Sequence, residues 1–294
     1  MSEKWLRNVV RDFWKYNFPL YRKGDRLWGM RGVVGDYQEG RKTLFNQGLF
    51  EQSSTEKERL GTKRELDDGR IFKYASVTAA ALVAGHCIAK AQTPIAATVA
   101  AADALLTLIG AREISLTAAG IAADQLKDGH LVATTLVNIG AMYKIRGNGV
   151  TGGIAAGRIS LNLYDKLDVA WTAAGTTAWL YENVYKNLFI RAACTAAGTD
   201  TDGNRVMGVT ARAFAGTAIA YGWVQTRGIG CMQLDVAAPA GAQDYESQIV
   251  PGPTAGRGAL AAAGTISGIQ VIAEQLEYAD LVNATANLVY ITVE

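Results

Sequence analysis

The chain has 294 residues, 49% of them hydrophobic, with a formal net charge of +2 and three cysteines. That is enough apolar material for one large domain or two ordinary ones, which excludes a disordered chain. The small charge imbalance argues against nucleic acid or an acidic membrane as the main partner, and the odd, widely spaced Cys87, Cys194 and Cys231 argue against a disulfide scaffold.

From the start of the chain, charges interrupt the first thirty residues throughout, so no signal peptide is expected and synthesis in a cytoplasm is. Ser2 to Tyr16 reads as a short amphipathic helix. Ser2 caps it, Glu3 sits at its positive end, and Trp5, Leu6, Val9, Val10, Phe13 and Trp14 share one face until Pro19 stops the pattern. Residues 20–55, with scattered glycines and no sustained period, read as an extended arm. At Leu60–Ala75 two alternating runs flank Asp67-Asp68-Gly69, the chemistry of a tight hairpin turn. Thr78 to Val83 reads as a short helix before Gly85. Tyr74 to Ala89 carries no charge but is too short and Ala-rich to span a membrane. Ile95–Leu108 is ambiguous, since alanine favours helix there. The remaining predicted strands are His130–Ala133, Met142–Arg146, Arg158–Tyr164, Gly222–Thr226, Cys231–Leu234 and Ala286–Val293, punctuated by Gly, Asp or Pro.

The composition changes near residue 75. Residues 1–75 hold 16 Lys/Arg and 11 Asp/Glu, whereas residues 76–294 hold only 13 and 16. A charge-poor body rich in Ala, Gly and Thr has little polar surface to present to water, and such surfaces are often covered by copies of themselves or by a larger assembly. The expected fold is mainly β: a sandwich- or barrel-like body of short antiparallel strands with few short helices, preceded by an extended N-terminal arm carrying a short helix. The expected division is an arm over 1–48, a β-rich domain over 49–190 and a β-rich C-terminal domain over 191–294.

Chemistry-bearing patterns are sparse. Gly147-Asn148-Gly149-Val150-Thr151-Gly152 matches G-x-G-x-x-G, but a strand rather than a helix is predicted after it, which favours a hairpin loop over a nucleotide site. His86-Cys87 and His130 lack metal-ligand spacing, and no third residue marks a Cys/His nucleophilic pair. Asp165 with Asp168, and Glu274 with Glu277, read as solvated surface carboxylates. Asn283-Ala284-Thr285 is a glycosylation acceptor only in a secreted chain. No catalytic residue, metal ligand or cofactor site is therefore assigned, and no enzyme activity is expected.

The aromatic distribution is more informative. Residues 1–31 contain Trp5, Phe13, Trp14, Tyr16, Phe18, Tyr21 and Trp28, seven of the chain's 25 aromatics, among eight Lys/Arg and three acids. Three readings stand: stacking on nucleic acid, docking on a partner protein behind a cationic rim, or a terminal helix packed on its own domain. Docking on a partner is preferred, with Trp5, Arg11, Phe13, Trp14, Tyr16, Phe18, Tyr21 and Trp28 as the candidate contacts.

An ordered series of motifs then bears on function. Leu49-Phe50-Glu51-Gln52, Leu60-Gly61-Thr62, Leu66-Asp67-Asp68-Gly69-Arg70 and Phe72-Lys73-Tyr74-Ala75 come first. Ala123-Asp124-Gln125, Asp128-Gly129-His130-Leu131-Val132, Tyr143-Lys144-Ile145, Leu161-Asn162-Leu163-Tyr164-Asp165 and Gly222-Trp223-Val224-Gln225-Thr226-Arg227-Gly228 follow. The series resembles the capsid decoration, or cement, proteins of tailed bacteriophages over about residues 49–294, with Ala255-Gly256-Arg257-Gly258 similar in style only. The resemblance implies a β-rich, non-enzymatic virion protein on the outer capsid surface, commonly trimeric, whose partners are the major capsid protein and its own copies. No membrane and no direct nucleic-acid role is implied. A major capsid or head–tail structural protein, and, from another class, a nucleotide-binding enzyme using the Gly147–Gly157 loop, remain the alternatives.

Overall fold

The computed structural model describes residues 20–23, 26–29, 32–36, 45–78, 82–91, 93–99, 108–135, 139–153, 157–171, 176–191, 204–214, 216, 219–235, 248–252, 254–260, 270–276 and 286–293. Their regular elements are all strands, and the described residues contain no α-helix. Hence none of them is a helix long and apolar enough to cross a membrane. The first strands are β1 (Leu20–Lys23), β2 (Arg26–Gly29), β3 (Gly32–Asp36), β4 (Lys63–Glu65), β5 (Ile71–Val77) and β6 (Cys87–Lys90). Next come β7 (Ile95–Val99), β8 (Glu113–Thr117), β9 (His130–Ala133), β10 (Met142–Asn148), β11 (Arg158–Leu163) and β12 (Thr177–Tyr181). The chain continues with β13 (Phe189–Ile190), β14 (Arg205–Thr210), β15 (Ala220–Gln233), β16 (Gln248–Pro251), β17 (Gly258–Leu260), β18 (Ala273–Gln275) and β19 (Ala286–Thr292).

Contacts divide the chain into two units, Met1–Ala89 with Asn187–Glu294, and Lys90–Lys186. The division expected at residues 48 and 190 differs, because composition read along a chain can only cut it in series. Here the second unit is an insertion. The chain returns to the sheet it left, and β13 pairs antiparallel with β6 at Phe189↔Ala89 and Ile190↔Ile88.

In the first unit the sheet is organised about β15. β5 pairs with it from Ala220↔Val77 to Arg227↔Ile71, and β19 takes over from Arg227↔Thr292 to Gln233↔Ala286. The exchange occurs at a bulge, where Gly228 has φ +91° and the Gln225 amide donates to the carbonyls of Arg227, Gly228 and Ile229. This corrects the expectation of two strands, Gly222–Thr226 and Cys231–Leu234. The glycines that read as punctuation form a bend inside one strand. The unit buries Val206, Val209, Met232, Leu234, Ile249, Ile272, Val289 and Ile291 together as a core.

The hairpin of β4 and β5 is as the turn chemistry predicts. Gly69 N–H donates to the Leu66 carbonyl at 3.0 Å, Gly69 takes φ +83°, and Leu66 N–H reaches the Arg70 carbonyl at 2.9 Å. That is a three-residue loop with glycine in the left-handed position. Asp68 accepts bonds from the Arg70 backbone N–H and guanidinium, fixing the far side of the turn.

Two local expectations differ from the structure. Of the helix expected at Thr78–Val83, residues 79–81 lie outside the described residues, and Leu82 exchanges backbone bonds with Phe214 in a β-bridge. Residues 20–36 are not a featureless extension but a three-stranded antiparallel sheet of order β1-β2-β3. Its strands are too short for a periodic signal, and only Gly24-Asp25 separates the first two. The expected helix at Ser2–Tyr16 lies outside the described residues.

The second unit is a closed six-stranded barrel of order β10-β11-β8-β7-β12-β9. Closure removes sheet edges, and alternation sends Ile114, Leu116, Leu131, Ile145, Ile159, Leu161 and Leu180 into a fully buried interior. The ambiguous Ile95–Leu108 stretch begins as strand: Ile95–Val99 pairs with β12 and β8. Residues 121–129 brace one end. Leu126 N–H donates to the Asn148 side-chain carbonyl at 2.8 Å, and Asp128 N–H to the Ile145 carbonyl at 2.9 Å.

Candidate interaction surfaces

The motifs singled out along the sequence meet in space, unit by unit. Phe72-Lys73-Tyr74-Ala75 and Gly222-Trp223-Val224-Gln225, some 150 residues apart in the chain, are register partners on β5 and β15. The hairpin turn also sits against the bulge, since a Cβ on Gly228 would lie 2.9 Å from the Arg70 Cα and 3.1 Å from the Gly69 carbonyl. In the barrel, Tyr164 donates to the buried Asp128 carboxylate at 3.0 Å, and its backbone N–H to the Lys144 carbonyl at 3.0 Å. Gly129 passes so close to the Tyr181 carbonyl, 2.1 Å from where a Cβ would stand, that no side chain fits. These motif residues build framework.

A second cluster fixes the segment that emerges from the arm. Gln47 accepts from the Tyr74 hydroxyl at 2.6 Å and donates to the carbonyls of Glu51 and Tyr221 at 2.7 and 3.0 Å. The Trp223 indole N–H reaches the Gln47 carbonyl at 3.3 Å. The buried Arg64 guanidinium lies 4.9 Å from the Phe45 ring centre and 5.7 Å from that of Trp223, a cation held between aromatic faces. Burial pushes the Tyr74 hydroxyl up to about 12, so it stays a donor at any ordinary pH. The chain is thus tied to the β5–β15 pair from residue 45 onward.

The chemical candidates do not converge. The Gly147 loop is a hairpin between β10 and β11, with the amides of Gly149, Thr151 and Gly152 donating to the carbonyls of Ser160, Ile121 and Arg158. Strand β11 follows it, so the loop presents no helix N-terminus to a phosphate. His86 Nε2 lies 3.2 Å from Gln233 Oε1, its Nδ1 is buried without a partner, and burial lowers its pKa, opposed by that hydrogen bond and aided by Arg257. The Cys87 sulfur packs 3.9 Å from the Met232 sulfur. His130 lies in the other unit, and its pKa is lowered by burial and then by Lys144. Asp168 accepts from the Tyr143 hydroxyl, while Asp165 is simply exposed. Cys194, Glu277 and Asn283 lie outside the described residues. Among the described residues no group of three His, Cys, Asp or Glu is placed to hold a metal ion.

Of the candidate contacts, Trp5, Arg11, Phe13, Trp14, Tyr16 and Phe18 lie outside the described residues. Tyr21 and Trp28 are direct register partners on β1 and β2.

A surface that sequence reading missed lies on the outside of the barrel. Ala96, Trp179, Val132 and Met142 stand directly opposite one another across β7, β12, β9 and β10. Tyr181, His130 and Lys144 form the next row on the same face. Trp179 and Tyr181 meet edge to face, with ring centres 6.3 Å apart, and the Lys144 ammonium lies 5.9 Å from the Tyr164 ring centre. The signal was present in Thr177-Ala178-Trp179-Leu180-Tyr181, whose alternation buries Ala178 and Leu180 and turns the other three outward. No protein-family model, curated protein or solved structure matches the chain.

Proposed function

We propose that the chain is a structural virion protein, a capsid decoration or cement protein of a tailed bacteriophage. In this reading it binds the outer surface of the head and stabilises the shell by bridging neighbouring capsid subunits. The carrying observation is where the resembling motifs fall. Leu66–Ala75 and Gly222–Gly228 are partners in the middle of one sheet, and Asp124–Val132, Tyr143–Ile145 and Leu161–Asp165 gather in one barrel. The residues that carry the resemblance thus lie in the framework of both units, which is what supports this reading.

The physical logic is multivalent attachment. A closed homotrimer would cover part of a charge-poor body, and three linked weak contacts exceed a single one by orders of magnitude when geometry lets them engage together. The aromatic, basic residues from Trp5 to Trp28 supply the capsid contact, anchored through the Gln47–Tyr74–Trp223 cluster. Binding only the assembled shell stabilises it by mass action. The enzyme reading draws no support from the Gly147 loop, where the amides of Gly149, Thr151, Gly152 and Gly153 donate to backbone carbonyls.

Two measurements test the halves separately. Light scattering on the free protein should give three times the 31.3 kDa chain mass. Particles stripped of the protein should burst at a lower temperature and recover when it is added back. A protein that stays monomeric on the shell, with stripped particles no less heat-stable, is not a cement.

A further inference from the structure

Along β15, β19 and β18 burial alternates. Met232, Val289, Ile291 and Ala273 are fully buried, whereas Ile229 is 50% exposed, Leu288 40%, and Leu276, just after β18, 44%. Register makes the outward residues neighbours. Ile229 stands opposite Tyr290 and Tyr290 opposite Glu274; one step along, Arg227 stands opposite Thr292. On the other side Leu276 N–H donates to the Leu288 carbonyl, so those two leucines adjoin. Single exposed apolar residues need no explanation, but three on neighbouring strands of one sheet form a patch.

Charge completes the pattern. Arg227 and Glu274, both exposed, are the charged residues of these rows, on strands two apart and so roughly 10 Å or more from one another. Among the described residues no ion pair joins them. Ile229 and Tyr290 lie between a cation at one corner and a carboxylate at the other. Such a face has no net charge with which to select an acidic or a basic partner, but a copy of itself answers both charges.

We infer that this face binds the same face of a second copy across a two-fold axis, with Arg227 of each copy against Glu274 of the other. An axis lying in the interface and crossing β19 between Tyr290 and Thr292 exchanges the two charges. Both pairs then form at once over the apolar centre, which is the self-complementarity an isologous contact requires. Burial of Ile229 and Tyr290 supplies affinity, and the two ion pairs fix register and discriminate against wrong partners. All of these residues belong to the sheet unit. The contact joins copies two by two, so it is additional to the three-fold association of the proposed function and does not rest on it.

The test is light scattering on the full-length protein over a range of concentrations, where the wild type should double its mass. Arg227→Glu alone and Glu274→Arg alone each set like charges together twice, and each should weaken doubling about tenfold. Both changes in one chain should restore it. An equimolar mixture of the two single variants should restore it too, since each supplies the charge that the other lacks. Ile229→Ser should weaken doubling without rescue by either charge change. The Gln225 amide holds Arg227 by its backbone carbonyl, so reversing the side chain leaves that bond in place. Circular dichroism and melting identify a variant that misfolds; Arg227→Gln and Glu274→Gln then carry the test, each weakening doubling about threefold. A wild type that never doubles, single variants with unchanged curves, or no restoration in the double variant and the mixture would overturn the inference. Those outcomes leave the virion reading standing, which fails instead on particle binding and heat stability.

Discussion

At the scale of single residues, Gly228 and Gly69 separate two reasons for a glycine. Both take positive φ, +91° and +83°. At Gly69 nothing lies within 4 Å of an added Cβ, so Gly69→Ala meets only backbone strain, about 1–2 kcal/mol. At Gly228 the added Cβ also meets the Arg70 backbone at 2.9 Å, so Gly228→Ala should cost more, on the order of 3 kcal/mol. Urea denaturation of the two variants checks the order; equal losses would remove the close packing of turn on bulge from the account. Tyr74→Phe leaves Gln47 Oε1 without its 2.6 Å donor and Lys57 N–H without an acceptor at 3.1 Å, and about 1–3 kcal/mol of destabilisation is expected by the same measurement. The turn at Asp67-Asp68-Gly69 was legible because its chemistry is local. The close packing at Gly228 was not, since its partner is a hairpin far away in the chain.

At the scale of elements, β9, β10, β11 and β19 were legible, each with clear alternation between punctuating residues. β8 was missed, and β7 stayed ambiguous, because they are short and rich in Ala, Ser or Thr, with barrel closure rather than propensity deciding their state, whereas β12 was missed although its alternation carried the signal. Closure also places a charged pair at the barrel's entry and exit. The Lys90 ammonium lies 2.7 Å from Glu182, which also accepts from Gln125 at 2.8 Å. Burial raises the Glu182 pKa, but the hydrogen bonds from Lys90 and Gln125 outweigh it, and the net shift is downward. A depressed folded-state pKa means that the stabilisation is complete above the ordinary carboxylate value of 4.5 and is lost as pH falls through and below it. Melting temperature should therefore drop more steeply on acidification in the wild type than in Glu182→Gln. At neutral pH that variant should be destabilised by about 3–5 kcal/mol, because Lys90 stays buried without its counter-charge. Parallel pH curves for the two proteins would contradict this. For the arm, deleting residues 1–31 leaves the Phe45–Gln47–Trp223 anchorage intact, so the body should keep its melting temperature while particle binding weakens.

At the scale of the whole molecule, the insertion of one β unit into another was invisible along the chain. It is declared by β6 pairing with β13, and by the bridge of Val77 to Leu188, across the excursion from Lys90 to Lys186. A closed barrel with its own core, braced by residues 121–129, should fold when residues 90–186 are expressed alone, giving a cooperative melt; a molten product would show that it depends on its host. The exposed aromatic side chains were only half legible. The aromatic arm stood out by composition, whereas the Trp179–Met142 row exists only once three strands align, and no linear pattern joins residues 132, 142 and 179. In the proposed function this framework is a clamp on the outside of a phage head. A cryo-electron microscopy reconstruction of particles carrying the protein tests that claim most directly. The account predicts density for the sheet unit and the barrel on the outer surface, in three-fold clusters, with the arm reaching a neighbouring capsid subunit. Particles whose outer surface lacks this density, or which carry it inside the shell or at the tail vertex alone, would contradict the claim.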